Sequence, residues 1–343
     1  MKKKSIFASK QHELLLLAFI LIVCVINTCL ADSFLTWKNI LNIFKANTVY
    51  GIIALGMMVV IATGNVDVSV GSSLIGTGVI ASKLVILNLP DAAPINPVLT
   101  ILVSILVGIT IGAFNGFFVA YIKIPSLIAT LASYSIIRGT LCLVTGGRWI
   151  TGFPGWFISY ANTKVLGVYI GVVFWVLLMF VTYFIINKMN IGRQLLAVGG
   201  NPSAALRSGI NRNRLTMFAF MYLGALVGIA SVIFFSQTGM LDPMLGEGYE
   251  MTVIAAVIIG GTLLSGGVAS TSGTVLGTLV LGIINSMLVF AHIPVYWQKL
   301  VMGFLLLIAM VGSYSKVDKK SGEKTIKLAV LEADGGIQIE KRY

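Results

Sequence analysis

The sequence has little charge. Asp, Glu, Lys and Arg together make up 10% of its 343 residues, against about 25% in a soluble globular domain. With 57% of residues hydrophobic, that deficit excludes an ordinary water-soluble fold and leaves a chain whose main solvent is lipid. Acids are scarcer than bases, 12 against 24, for a formal net charge of +12. The excess does not point to nucleic acid. The basic residues gather in short segments between apolar runs, the pattern that orients a protein in a membrane. Histidine occurs twice, as His12 and His292, so a histidine-based catalytic site is not expected. Cys24, Cys29 and Cys142 all fall in apolar runs, with neither paired metal spacing nor a disulfide framework. No phosphate loop of the form G-x-x-x-x-G-K-S/T is present. With no nucleophile–base arrangement or metal cluster either, the chain reads as a protein that catalyses nothing itself and carries no cofactor.

What it has is long apolar runs. At about 20 apolar residues per crossing, ten spans are expected: 14–30, 47–63, 68–87, 97–121, 126–144, 166–186, 214–236, 250–265, 271–290 and 297–314. Lys2, Lys3 and Lys4 ahead of the first run resemble a secretory signal. That run is longer than a signal core and many spans follow, so it reads as an uncleaved first helix. An inside N-terminus then places Lys123, the segment 188–214 and the tail from Lys316 inside, with 17 of the 24 Lys and Arg residues. Asp32, Asp91, Asp242, Glu247 and Glu250 fall on the other side. An odd number of spans would lose this bias. The expected fold is therefore an all-α polytopic membrane bundle of about ten transmembrane helices with both termini cytoplasmic. Residues 1–314 form the transmembrane domain and 315–343 a polar cytoplasmic tail. In that tail 326–330 and 337–340 could pair across Asp334-Gly335-Gly336, but a lone hairpin is marginal in water, so disorder is expected.

Glycine is abundant, with 37 residues. Gly108, Gly112 and Gly116, then Gly224 and Gly228, then Gly273 and Gly277 are spaced for close helix packing. Two other clusters break the helical pattern: Gly64 to Gly71 (GNVDVSVG) and Gly260 to Gly267 (GGTLLSGG). Irregular backbone near membrane depth survives only inside protein or against water. Five spans on each side of the 145–165 loop would make the two halves inverted in topology, as in many transporters, although no clear sequence repeat is present. The aromatics of that loop, Trp149, Phe153, Trp156, Phe157 and Tyr160, read as an interface belt, with a protein contact as the alternative.

The longest polar interruption is Lys188 to Arg214, with five basic residues and no acid. Within it Asn201 to Arg207 predicts a short helix. Asn201 can cap its first N–H groups, Pro202 sits where a missing N–H costs nothing, and Gly209 can take the left-handed conformation that ends it. Ala204 stands where a capping box would need Glu or Gln. Two helical turns, about 10 Å, cannot cross a bilayer. The segment is either a rigid cytoplasmic projection on which a soluble partner can push, or a solvated loop. Two charges fall in or beside the spans. Asp67 either faces a pathway or caps the next helix. Arg138 either faces a pathway or reaches the outer interface. Glu250 complements the N-terminal dipole of its helix. A gradient-driven carrier usually shows several ionisable groups within its spans; two uncertain ones favour an energising partner.

These residues resemble a known family. Gly64-Asn65-Val66-Asp67-Val68-Ser69-Val70-Gly71 is similar to the G-G/N-I-D-L/V-S-V-G motif of the ribose-type permeases of bacterial ABC importers. Gly192-Arg193, Ala197 to Asn201, Ala204-Ala205 and Ser208-Gly209-Ile210 look like its cytoplasmic coupling segment. Gly248-Tyr249-Glu250 through Ile254-Ala255-Ala256, with Gly260 to Gly267, matches its third block. The resemblance runs from about residue 40 to 314 and leaves the tail uncovered. Thr145 to Ile150 (TGGRWI), Gly152, Pro154, Ile293-Pro294 and Trp297 resemble the autoinducer-2 and rhamnose-type subgroup. Asn65-Val66 stands where most members carry Gly-Ile, a departure that bears on the substrate rather than the class.

The resemblance implies a permease working with cytoplasmic ABC ATPase subunits, a periplasmic or lipid-anchored sugar-binding protein and a second permease chain, identical or homologous. It implies that Gly199, Gly200, Asn201, Ala204, Ala205, Arg207, Ser208 and Gly209 couple to the ATPase. Asn65, Asp67, Ser69, Gly71 and Arg138 are the pathway candidates. The expected function is translocation of a monosaccharide or ribose-like small polyol. The alternatives are a branched-chain amino-acid permease and a stand-alone proton-coupled carrier.

Overall fold

The computed structural model of the protein describes residues 2–30, 34–86, 97–294, 296–308 and 310–311. The helices are α1 (Lys2–Leu30), α2 (Trp37–Ala62), α3 (Val70–Ile86), α4 (Pro97–Ala120), α5 (Ser126–Thr145), α6 (Gly155–Tyr160), α7 (Ile170–Asn187), α8 (Asn190–Gly200), α9 (Pro202–Arg207), α10 (Arg212–Thr238), α11 (Tyr249–Ile259) and α12 (Thr271–Phe290). A further apolar helix, α13, spans Tyr296–Ile308. A two-residue ribbon pairs β1 (Lys164–Val165) with β2 (Val168–Tyr169).

Among the described residues, seven helices are long and apolar enough to cross a membrane: α1, α2, α4, α5, α7, α10 and α12. Three shorter apolar helices, in α3, α11 and α13, fall at the other predicted positions. The predicted span 250–265 is corrected: α11 stops at Ile259 after 11 residues. At 1.5 Å per residue that is about 16 Å, half of a ~30 Å hydrocarbon layer. The stop is the Gly260-Gly261 turn, where Gly261 adopts φ +90°. The tail from 315, with its predicted hairpin or disorder, lies outside the described residues.

α2 is the axis of the bundle. Every residue from Gly51 to Ala62 is buried, enclosed by α7, α10, α11 and α12. α10 lies along α4, and the predicted glycine spacings make that seam. A side chain at Gly108 would collide with the Gly224 carbonyl, one at Gly112 with that of Phe220, and one at Gly228 with that of Ser104. Gly273 and Gly277 bring α12 equally close to Gly260 and Ala256. In lipid, where no hydrophobic drive separates helix from tail, such backbone approach supplies the van der Waals contact.

The end of the bundle that carries α6 is closed by side chains. Ile150 and Leu241 exchange backbone hydrogen bonds of 2.8 and 2.9 Å, and the Ser236 hydroxyl donates to the Phe157 carbonyl at 2.6 Å. Phe153 and Phe157 are buried in the core that includes α10 residues. These two therefore make an intramolecular contact rather than the predicted belt, while Trp149 remains exposed. Lys45 donates to Asn162 Oδ1 at 2.6 Å and sits 4.8 Å from the centre of the Tyr169 ring.

Candidate functional site

The predicted short helix is present as α9, and its start follows the capping logic. Asn201 Oδ1 accepts from the Ala204 N–H at 3.0 Å, with Pro202 in the first turn. Gly209 takes φ +75° just beyond the end. α9 turns Ala205 inward and leaves Leu206, Arg207 and Ser208 exposed. Leu206 is 69% exposed. The structure adds an element absent from the sequence reading. Asn190 to Gly200, where the sequence predicts no helix, is the amphipathic helix α8, with Leu195 and Val198 fully buried. The signal was there: Ile191, Leu195 and Val198 repeat at helical spacing, opposite the polar Arg193 and Gln194.

α8 ends against both helix breaks. Any side chain at Gly199 would collide with the Ala62 carbonyl and lie 2.6 Å from the Gly267 nitrogen. Gly267 N–H donates to that same Ala62 carbonyl at 3.0 Å. A Cβ at Gly266 would lie 2.7 Å from the Gly64 nitrogen and 2.9 Å from the Gly199 Cα. The last turn of a helix leaves its carbonyls without intrahelical donors. Here one such carbonyl, at the end of α2, accepts from the Gly267 N–H of the second break and lies against Gly199 of α8. Three stretches far apart in sequence thus meet backbone to backbone. Gly200 differs: it is exposed, and a Cβ there would find Gly267 Cα at an ordinary 3.5 Å.

The first break is held by polar side chains. Asp67 Oδ1 accepts from the Ser69 N–H at 2.8 Å and the Ser69 hydroxyl at 2.6 Å. Asn115 Nδ2, on α4, donates to Asp67 Oδ2 at 3.2 Å and Ser69 Oγ at 2.8 Å. The N–H groups of Val66 and Val68 donate to the Ser126 and Thr130 hydroxyls on α5, both at 3.1 Å. Asp67 is 3% exposed and Ser69 0%, so each bond replaces one that water would otherwise supply. Asp67 therefore does what a cap does, ahead of α3, while buried among three elements. Asn65 Nδ2 bonds Thr63 Oγ1 at 2.9 Å. Asn115 was missed; a lone amide inside an otherwise apolar helix was its signal.

Arg138 does not join this cluster. Its guanidinium donates to the Leu245 carbonyl at 2.7 Å, to the Pro243 carbonyl, and to the Tyr134 hydroxyl at 3.4 Å. It pins the segment that leads from α10 into α11. That segment reaches Gly71, where a side chain would collide with the Gly246 carbonyl and meet Glu250 Oε2 at 2.9 Å. Glu250 is more than a dipole complement. It is 7% exposed; its Oε1 accepts from Gly248 N–H at 3.1 Å, and its buried Oε2 has no partner among the described residues.

Residues 39–310 match the family described as the permease component of branched-chain amino acid transport systems. The chain belongs to this family. It is 36% identical over 299 residues to the ribose import permease of Haemophilus influenzae, covering 86% of this chain and 90% of that one. It is 32% identical over 303 residues to the ribose import permease of Escherichia coli K12, covering 86% and 91%. It is 32% identical over 308 residues to the autoinducer 2 import system permease of Escherichia coli O157:H7, covering 89% and 87%. No solved structure matches. With seven long apolar helices among the described residues the chain is a multi-pass membrane protein and a transport subunit.

Proposed function

We propose that the chain is the membrane permease of an ABC importer in the bacterial cytoplasmic membrane, moving a monosaccharide or ribose-like small polyol. The names of its relatives, ribose and autoinducer 2 import permeases, support a small hydroxylated cargo over a branched-chain amino acid. The orientation follows the charge: the end carrying Lys123, Arg193, Arg207, Arg212 and Arg214 faces the cytoplasm. The observation that carries the mechanism is the junction at Ala62, where α8 touches both breaks. α9 presents exposed Leu206 and Arg207 to a soluble ATPase. When the ATPase closes, α9 and α8 move as one lever, and Gly199 displaces the ends of α2 and of the Gly260–Gly267 turn together. The α10–α11 segment held by Arg138 and the α3 start at Gly71 then separate to admit cargo handed over by a binding protein. A second permease chain completes the pathway.

The test is reconstitution in proteoliposomes with the ATPase and binding protein encoded beside it. The reading predicts ATP-dependent uptake of radiolabelled ribose that needs all components. Uptake of leucine but not ribose would support the amino-acid alternative. Uptake by the permease alone under a pH gradient would overturn the coupling mechanism.

A further inference from the structure

A cleft of about 560 Å³ opens at the basic end, between α9, the turn joining α4 to α5, and the start of α10. That volume lies within the roughly 300–1,000 Å³ of small-molecule sites. Its lining includes Lys123 and Arg212 and no carboxylate. Both cations are exposed, so they reach the mouth. Deeper in the cleft lie two nearly buried polar residues, Asn65 at 7% exposed and Thr216 at 2%. The Asn65 amide nitrogen is used by Thr63. Neither its carbonyl oxygen nor the Thr216 hydroxyl has a hydrogen-bond partner among the described residues. Two cations at the mouth and two idle hydrogen-bonding groups below ask for a ligand with an anion at one end and hydroxyls at the other.

We propose that this cleft binds a hydroxyl-bearing phosphate ester and that occupancy restrains the coupling lever. The phosphate pairs with Lys123 and Arg212, while hydroxyls satisfy Asn65 Oδ1 and Thr216 Oγ1. Pro202, Ser203 and Leu206 of α9 line the cleft together with Asn65 of the first break. A ligand bridging them ties α9 to the part of the bundle it must move against, and so slows transport. The same chemistry has two sources: a phosphorylated sugar in the cytoplasm, or the glycerophosphate headgroup of an inner-leaflet lipid. The cytoplasmic placement rests on the orientation proposed above. Binding is read on the isolated permease, so its failure is distinguishable from a failure of the transport reading.

The test is thermal unfolding of the purified full chain with ribose 5-phosphate, D-ribose and inorganic phosphate as probes, and in nanodiscs of phosphatidylglycerol against phosphatidylcholine. At about 100 times its dissociation constant ribose 5-phosphate is expected to raise the midpoint by roughly 5 °C, with D-ribose and inorganic phosphate far weaker. The double variant Lys123→Asn/Arg212→Gln should lose the shift. Asn is chosen because residue 123 has φ +64°, a conformation asparagine tolerates. Thr216→Val keeps both cations and should weaken the ester roughly threefold to tenfold while leaving inorganic phosphate unchanged. Stabilisation by phosphatidylglycerol instead, lost in the double variant, would support the site with a lipid as its source. In proteoliposomes, lumenal ribose 5-phosphate should slow wild-type uptake and not that of the double variant. No shift with any probe, or an equal shift in the double variant, overturns the proposal. So does a double variant that loses only its ATPase, which would make the cleft a protein-docking surface.

Discussion

The two helix breaks touch, Gly266 against Gly64, but are held in opposite ways. The break at Gly64–Gly71 is fixed by side chains: Asp67, Ser69, Asn115, Ser126 and Thr130 satisfy its backbone and each other. The break at Gly260–Gly267 is fixed chiefly by bare backbone, through Gly260 against Gly273, Gly266 against Gly64, and Gly267 against Gly200. Its side-chain supports come from outside. His12 Nε2 bonds the Ile259 carbonyl at 2.8 Å, and the hydroxyls of Ser270 and Ser272 donate to Glu13 Oε1 at 2.9 and 2.7 Å. A network of directional bonds resists sliding; a stack of glycines permits it. On the proposed mechanism the first break is the anchor and the second the element that shifts when α8 moves.

That comparison can be broken at four points, in descending order of effect. Gly199→Ala places a methyl on the Ala62 carbonyl. Overpacking of about 1–3 kcal/mol is expected, and if it falls on the conformational step uptake drops roughly 10- to 100-fold. Gly200→Ala, one residue on and in open contact, should stay within about twofold; equal losses in both variants would remove the junction from the mechanism. Asp67→Ala leaves the Ser69 N–H buried without its acceptor and removes one of the two acceptors of the Asn115 amide, at about 1–3 kcal/mol. Chemical unfolding of the purified protein in detergent should show it, and an unchanged midpoint would mean that the first break is not anchored this way. Ser270→Ala removes the cap that accepts from Gly273 N–H at 3.0 Å, for about 1 kcal/mol. Hydrogen exchange should rise in the first turn of α12 and not around Asp67. His12→Ala removes one partly buried bond at the edge of the moving break, for about 0.5 kcal/mol. It should alter uptake more than stability, and the reverse ranking would make α1 a structural brace.

Much of this was legible in the sequence because it depends on local rules. The α9 cap at Asn201, the glycine seams of α4, α10 and α12, and both breaks follow from spacing and residue type. What was not legible depends on which distant segments meet. Arg138 reads equally well as a pathway or an interface charge until Leu245 and Pro243 are seen to accept from it. Phe153 and Phe157 read as an interface belt because aromatics at a span end fit one; the Ser236 bond and the Ile150–Leu241 pair fold them inward instead. α8 was hidden by its polar neighbours, since 11 residues holding Arg193 and flanked by Lys188, Arg207, Arg212 and Arg214 resemble a loop in composition and a helix only in periodicity. The length of α11 was misjudged because hydropathy continues through Leu263-Leu264 after Gly260-Gly261 has already ended the helix.

The most direct test of the central claim is a distance measurement. Spin labels at Ser203 on α9 and at Ser265 in the second break, in a background lacking Cys24, Cys29 and Cys142, would be followed in the assembled transporter with and without ATP. A third label at Asn162 marks the far end of the bundle. The account predicts that the 203–265 distance stays constant while both labels shift relative to residue 162. A change in the 203–265 distance with residue 265 stationary would contradict it, because the lever would then move without carrying the break.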